Sequence, residues 1–172
     1  MLDERLGLMN VLKQIIEADH KTPFLPWTER EGWQKMQILV VNENASIPEQ
    51  LAKALPEAEF TLEHAKGIAA GCELAKSGRF QIIVTSPTFA DGTWRRLVDV
   101  ANRYDLGFAV IVLANVFDMQ EWADALEYGA VDVMDTLYEL PRVAQSIKCA
   151  AWAAYLKGAG PRTSMVGHPK AA

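Results

Sequence analysis

The sequence has no basic excess, no long apolar run and almost no cysteine, and each shortage removes a class of function. Lys and Arg total 17 against 22 Asp and Glu, giving a formal charge of -5 and a pI near 5.2. Nucleic-acid binding leaves a basic stripe as its footprint. None is visible, so no nucleic-acid partner is expected. No apolar stretch approaches the roughly 20 residues that span a bilayer. The opening "MLDERLG" is acidic, where a signal peptide starts basic. No membrane partner and a cytoplasmic location are expected. Cys72 and Cys149 lie inside helical patterns without CxxC spacing, which argues against a metal site or a disulfide framework. They read as small core residues. His20, His64 and His168 fall in a linker, at the start of a helix and in the tail, so no Ser/His/Asp or Cys/His set can be assembled. An enzyme is not expected.

What is present fits one α/β domain. The 172 residues are 50% hydrophobic and 23% charged, enough for one sizeable core. Residues 2–17 place Leu2, Leu6, Met9, Leu12, Ile15 and Ile16 on one helical face. With the Pro-containing linker to residue 35, they form an N-terminal unit separate from a globular domain over 36–157. Residues 158–172 read as a disordered tail, leaving no output domain in this sequence.

Within the domain, apolar runs and amphipathic stretches alternate. The expected strands are "MQILVV", "EAEFTL", "FQIIVT", "GFAVIVLA" and "AVDVM". Helices are expected over "SIPEQLAKAL", "HAKGIAAGCELAKSG", "GTWRRLVDVANRYD", "DMQEWADALEYG" and "ELPRVAQSIKCAAWAAYLKG". Ser46 and Glu49 have capping-box spacing. Strict alternation predicts a doubly wound parallel sheet with helices on both faces, in the flavodoxin-like order 2-1-3-4-5. Ligands of such sheets bind beyond the carboxyl ends of the strands, where the winding reverses. That places Asn42, Glu43 and Asn44, then Thr85, Ser86 and Pro87, at the switch point. Ala114 and Asn115 follow the fourth strand, and Asp135 and Thr136 the fifth.

Three stretches carry a family resemblance: "ILVVNEN", "FADGTWRRLVDVA" and "WADALEYGAVDVM". They are similar, in order, to the first strand, the third loop and helix, and the fourth helix and fifth strand of response-regulator receiver domains. The resemblance covers about residues 36–156. It implies the flavodoxin-like fold and a place in two-component signalling. It also implies a reactive pocket, which this chain has altered. The acidic pair that holds Mg²⁺ falls on Asn42 and Glu43, and the phosphoacceptor aspartate on Thr85, with Ser86 the alternative in a shortened loop. The hydroxyl residue of the fourth strand falls on Ala114, the lysine on Thr136, its following proline on Leu137 and the aromatic switch residue on Val133.

Glu43 is thus the one remaining metal-binding carboxylate, and Mg²⁺ prefers several anionic oxygens in octahedral geometry. Without the ion and the lysine, nothing offsets the charge of a transferring phosphoryl group. The expectation is a degenerate receiver with no metal, no cofactor and no catalysis. It would act by binding a protein: a histidine kinase, a regulator or a second copy in a homodimer. Trp122, Tyr128, Trp152 and Tyr155 are candidate interface anchors. Asp91-Gly92 reads as turn chemistry ahead of a helix, and Arg95 and Arg96 as a solvated helix face. The alternative is a small-molecule or cofactor binder of the same fold. The loop "NENASIPEQ" disfavours it, lacking a glycine that would let backbone amides close on a phosphate.

Overall fold

A computed structural model describes residues 35–114, 118–135 and 140–156. The helix expected over 2–17, the linker and the tail lie outside the described residues. Five parallel strands form one sheet: β1 (Met36–Val41), β2 (Phe60–Ala65), β3 (Ile82–Thr85), β6 (Ala109–Ala114) and β7 (Asp132–Asp135). Their order is β2-β1-β3-β6-β7. This is the expected 2-1-3-4-5 order with two short strands interposed in the chain, β4 (Thr88–Phe89) and β5 (Gly92–Thr93).

The continuous apolar run of β1 follows from its place in the sheet. It pairs with β2 on one side and β3 on the other, and only Gln37 of its six residues is not buried. Successive side chains alternate between faces. Met36, Ile38 and Val40 join the core under α1 (Ser46–Ala54) and α5 (Leu140–Leu156). Leu39 and Val41 join the core under α2 (Ile68–Ala75), α3 (Arg95–Tyr104) and α4 (Met119–Tyr128). Leu51, Val143, Ile147 and Ala151 close the first face, and Ile68, Leu97, Val98 and Ala125 the second. Each fully buried aliphatic side chain of this kind contributes about 1.5–3 kcal/mol.

Four local expectations change. First, β2 is shifted three residues later than "EAEFTL": Phe60 and Ala65 are its buried ends and the residues between them are more exposed. Edge position explains the polar "TLEH" within it, since only β1 pairs with it. His64 therefore lies in a strand and not at the start of a helix. Second, Ser46 is the first helical residue, and no side-chain cap bond is made at Ala45 before it. The turn is held by asparagines: Asn42 Oδ1 accepts from the Asn44 amide at 2.8 Å and Asn44 Oδ1 from the Ser46 amide at 3.0 Å. Asn side chains favour such local bonds to backbone. Third, α3 starts at Arg95, because "TFADGT" first folds into the β4–β5 hairpin. Fourth, α2 starts at Ile68 and not near His64.

Candidate functional site

The carboxyl ends of β1 and β3 meet where the winding reverses. Val41 is paired with Thr85, and Thr85 with Val112 of β6. The Ser86 amide donates to Val41 O at 3.1 Å, and the Asn42 amide to Ala65 O at 2.9 Å. The strands thus stay joined to their tips. Asn42, Glu43, Thr85 and Ser86 are brought together at this crest. Ala114 and Asp135 are paired at the ends of β6 and β7. Thr136 and Asn115 lie outside the described residues, as does Leu137.

The polar groups of the crest bond to the protein itself. Thr85 is fully buried and its hydroxyl donates to Ser86 O at 3.0 Å. Asn42 is 7% exposed, and its Oδ1 serves the Asn44 amide. Its carbonyl accepts from His64 Nε2 at 2.8 Å, which requires the proton on Nε2. Glu43 is exposed, and its Oε1 accepts from the Ala90 amide at 3.3 Å, reaching from the loop after β1 to the hairpin.

Asp91 was legible only as a turn residue, and its role is different. Its carboxylate accepts from the Ala69 amide at 2.9 Å and the Ile68 amide at 3.1 Å, so it caps α2 from 22 residues away. The Ala69 N–H, joined by that of Ile68 and opposed by partial desolvation, holds its carboxyl below the usual carboxylate range. Arg96 Nη1 donates to the Asp91 carbonyl at 3.1 Å.

Receiver-type chemistry needs Mg²⁺, and the donor set here does not fit it. Asn42 contributes an amide oxygen that already accepts, and Glu43 is one carboxylate with one oxygen turned to the hairpin. Among the described residues, no group of three or more His, Cys, Asp or Glu is arranged to hold a metal ion.

The candidate interface aromatics are divided between layers. Tyr128 turns toward α3: its hydroxyl donates to Asp99 Oδ1 at 2.7 Å, Arg95 stands over its ring at 4.9 Å and Trp94 meets it edge-on at 5.8 Å. The Asp99 bond, with desolvation, raises the Tyr128 hydroxyl above its usual pKa. Trp152 is half-buried against the α1–α5 core, on the other side of the sheet. Trp122 is half-buried on α4, and the Tyr155 side chain lies outside the described residues. Tyr128 and Trp94 gather on the α3–α4 side, an association that the wide sequence separation hid.

The comparisons with known proteins agree on the fold. No family model matches the chain. SilR of Salmonella typhimurium, assigned as a transcriptional regulatory protein, is 25% identical over 99 residues, 58% of this chain and 43% of SilR. The chain therefore spans less than half of that relative. A signal receiver domain assigned to the Luxo repressor protein of Vibrio parahaemolyticus superposes with a TM-score of 0.67 at 16% identity, covering 78% of this chain and 100% of that one. The Francisella response regulator 1452 receiver domain gives 0.62 at 12% identity, covering 70% and 99%. The beryllofluoride-activated NtrC4 receiver domain dimer gives 0.60 at 24% identity, covering 66% and 94%.

Proposed function

This chain has the fold of response-regulator receiver domains, and we propose that it is a receiver-like signalling module that works by docking to proteins without accepting a phosphoryl group. The observation that carries this reading is Thr85. It stands at the carboxyl end of β3, the position where the resemblance places the acceptor, and it is buried with its hydroxyl committed to Ser86 O. A threonine hydroxyl is a weak nucleophile without an adjacent base. Asn42 and Glu43, in the loop after β1, are themselves engaged with other backbone groups. Among the described residues, no group of three or more His, Cys, Asp or Glu could hold the cation that offsets the charge of a transferring phosphoryl group. The cofactor-binding alternative gains no support from the loop after β1, whose asparagine side chains turn back on their own backbone.

The partner class that fits is a protein of a two-component pathway: a histidine kinase, another regulator, or a second copy of this chain. The NtrC4 neighbour is described as a dimer, which supports weighing self-association. A titration of the ¹⁵N-labelled chain with Mg²⁺ and beryllofluoride tests the loss of the phosphoryl site. The amides of Asn42, Glu43, Thr85 and Ser86 are expected to stay in place. A saturable shift centred on Thr85 overturns the reading.

A further inference from the structure

We propose that the β4–β5 hairpin is a strap latched over the crest by Asp91, and that Asp91 is the positioning residue that decides whether the crest is covered. The inference stands on the bonds of the strap and is independent of whether the crest accepts a phosphoryl group. The strap follows Thr85 directly and is anchored at three points. At its base, the Trp94 amide donates to Pro87 O at 3.2 Å, and Trp94 is buried in the core. On one side of its tip, the Ala90 amide reaches Glu43 of the loop after β1. On the other side, the Asp91 carboxylate takes two amides from the first turn of α2.

The local backbone is shaped for this closure. Gly92 has φ +146°, which L side chains rarely adopt, and a Cβ there would stand 3.1 Å from Ile68 Cγ2 and 3.2 Å from Arg96 Cδ. A Cβ on Gly67 would stand 3.0 Å from Asp91 Oδ2. Both glycines thus let the strap lie against α2. The three anchors are unequal. Glu43 and Asp91 are both carboxylates that accept from backbone amides, but Glu43 makes one bond at 3.3 Å, whereas Asp91 makes two, at 2.9 and 3.1 Å. Asp91 is therefore the latch, and Glu43 a secondary stay. Loss of the latch frees a segment whose half-buried Phe89 packs on the α2–α3 core and whose Ala90 amide bonds Glu43 of the crest.

Amide hydrogen exchange on the full chain tests this, with Trp94 as the distant reporter and the Val84 and Ile111 amides as the fold control. In Asp91→Ala, the Ile68 and Ala69 amides and also the Trp94 amide are expected to exchange about tenfold faster or more, with Val84 and Ile111 unchanged. In Glu43→Ala, Trp94, Ile68 and Ala69 are expected to keep near wild-type rates. If Asp91→Ala speeds only Ile68 and Ala69, Asp91 is a helix cap and the latch is refuted. If Glu43→Ala frees Trp94 as strongly as Asp91→Ala, the assignment to Asp91 is equally refuted. Asp91→Asn, which keeps one acceptor oxygen, is expected to fall between wild type and Asp91→Ala. This variant decides the matter if Asp91→Ala fails to fold, and a wild-type Trp94 rate in it, with Ile68 and Ala69 accelerated, overturns the proposal.

Discussion

Gly71 of α2 packs directly against Val41 at the tip of β1, and replacing it with alanine sets two effects of known size against each other. In an open helix, Gly→Ala is worth up to about 1 kcal/mol of stability. Here a Cβ would stand 2.8 Å from Val41 Cγ2 and 2.9 Å from Val41 Cγ1. Val41 is fully buried, and β-branching leaves it few rotamers into which it could withdraw. Overpacking of this kind costs roughly 1–3 kcal/mol. Val41 has little room to yield, so the clash outweighs the helix gain, and Gly71→Ala is expected to lose up to about 2 kcal/mol, or about 4 °C of Tm for each kcal/mol. Thermal and urea unfolding measure it. Gly107→Ala is the control, because nothing lies within 4 Å of its added Cβ and that change should be neutral or mildly stabilising. Combining Gly71→Ala with Val41→Ala should recover part of the loss, with a coupling of about 0.5–3 kcal/mol. The reasoning fails if Gly71→Ala is as stable as Gly107→Ala, or if the two changes simply add. The site bears on function, since Val41 pairs with Thr85 and its carbonyl holds the Ser86 amide.

Glu59 offers a pH test. It is 6% exposed, its Oε2 has no hydrogen-bond partner, and burial raises its carboxyl above the ordinary value while the Lys148 charge partly offsets this. A carboxyl raised on folding adds stability that is full below its unfolded pKa and is lost as pH rises through the folded one. Glu59→Gln should therefore flatten the fall in Tm above pH 4.5 and be the more stable form at pH 7; a less stable variant at pH 7 contradicts the assignment. Ser146→Ala removes the hydroxyl that donates to buried Asp132 Oδ2 at 2.8 Å, and should cost about 1–3 kcal/mol in urea unfolding. Tyr128→Phe loses the bond to Asp99 but keeps the ring under Arg95 and against Trp94, so its Tm should fall by less than that of Tyr128→Ala.

The frame of this fold is readable from its apolar runs. "MQILVV", "FQIIVT" and "GFAVIVLA" contain strands buried on both faces, and continuous hydrophobicity is what such strands require. The last helix is equally legible: Val143, Ala144, Ile147 and Ala151 recur at helical spacing and are buried in the core. What escaped were features set by distant partners. The edge strand β2 has a mixed pattern because it pairs on one side alone. A two-residue ladder such as β4–β5 is too short to have a period. Asp91 meets the α2 amides across 22 residues, and Tyr128 meets Asp99 across 29, so no local spacing signals either contact. The crest positions Asn42, Glu43, Thr85 and Ser86 were found from topology, whereas their mutual engagement needed coordinates.

The most direct test of the central reading is the intact mass of the whole chain after incubation with acetyl phosphate and Mg²⁺. In the proposed reading, Thr85 at the end of β3, buried and bonded to Ser86 O, does not accept a phosphoryl group. The account predicts an unchanged mass for the wild type. A gain of one phosphoryl group that is lost at alkaline pH would show a reactive acyl phosphate forming on this chain, and would contradict it.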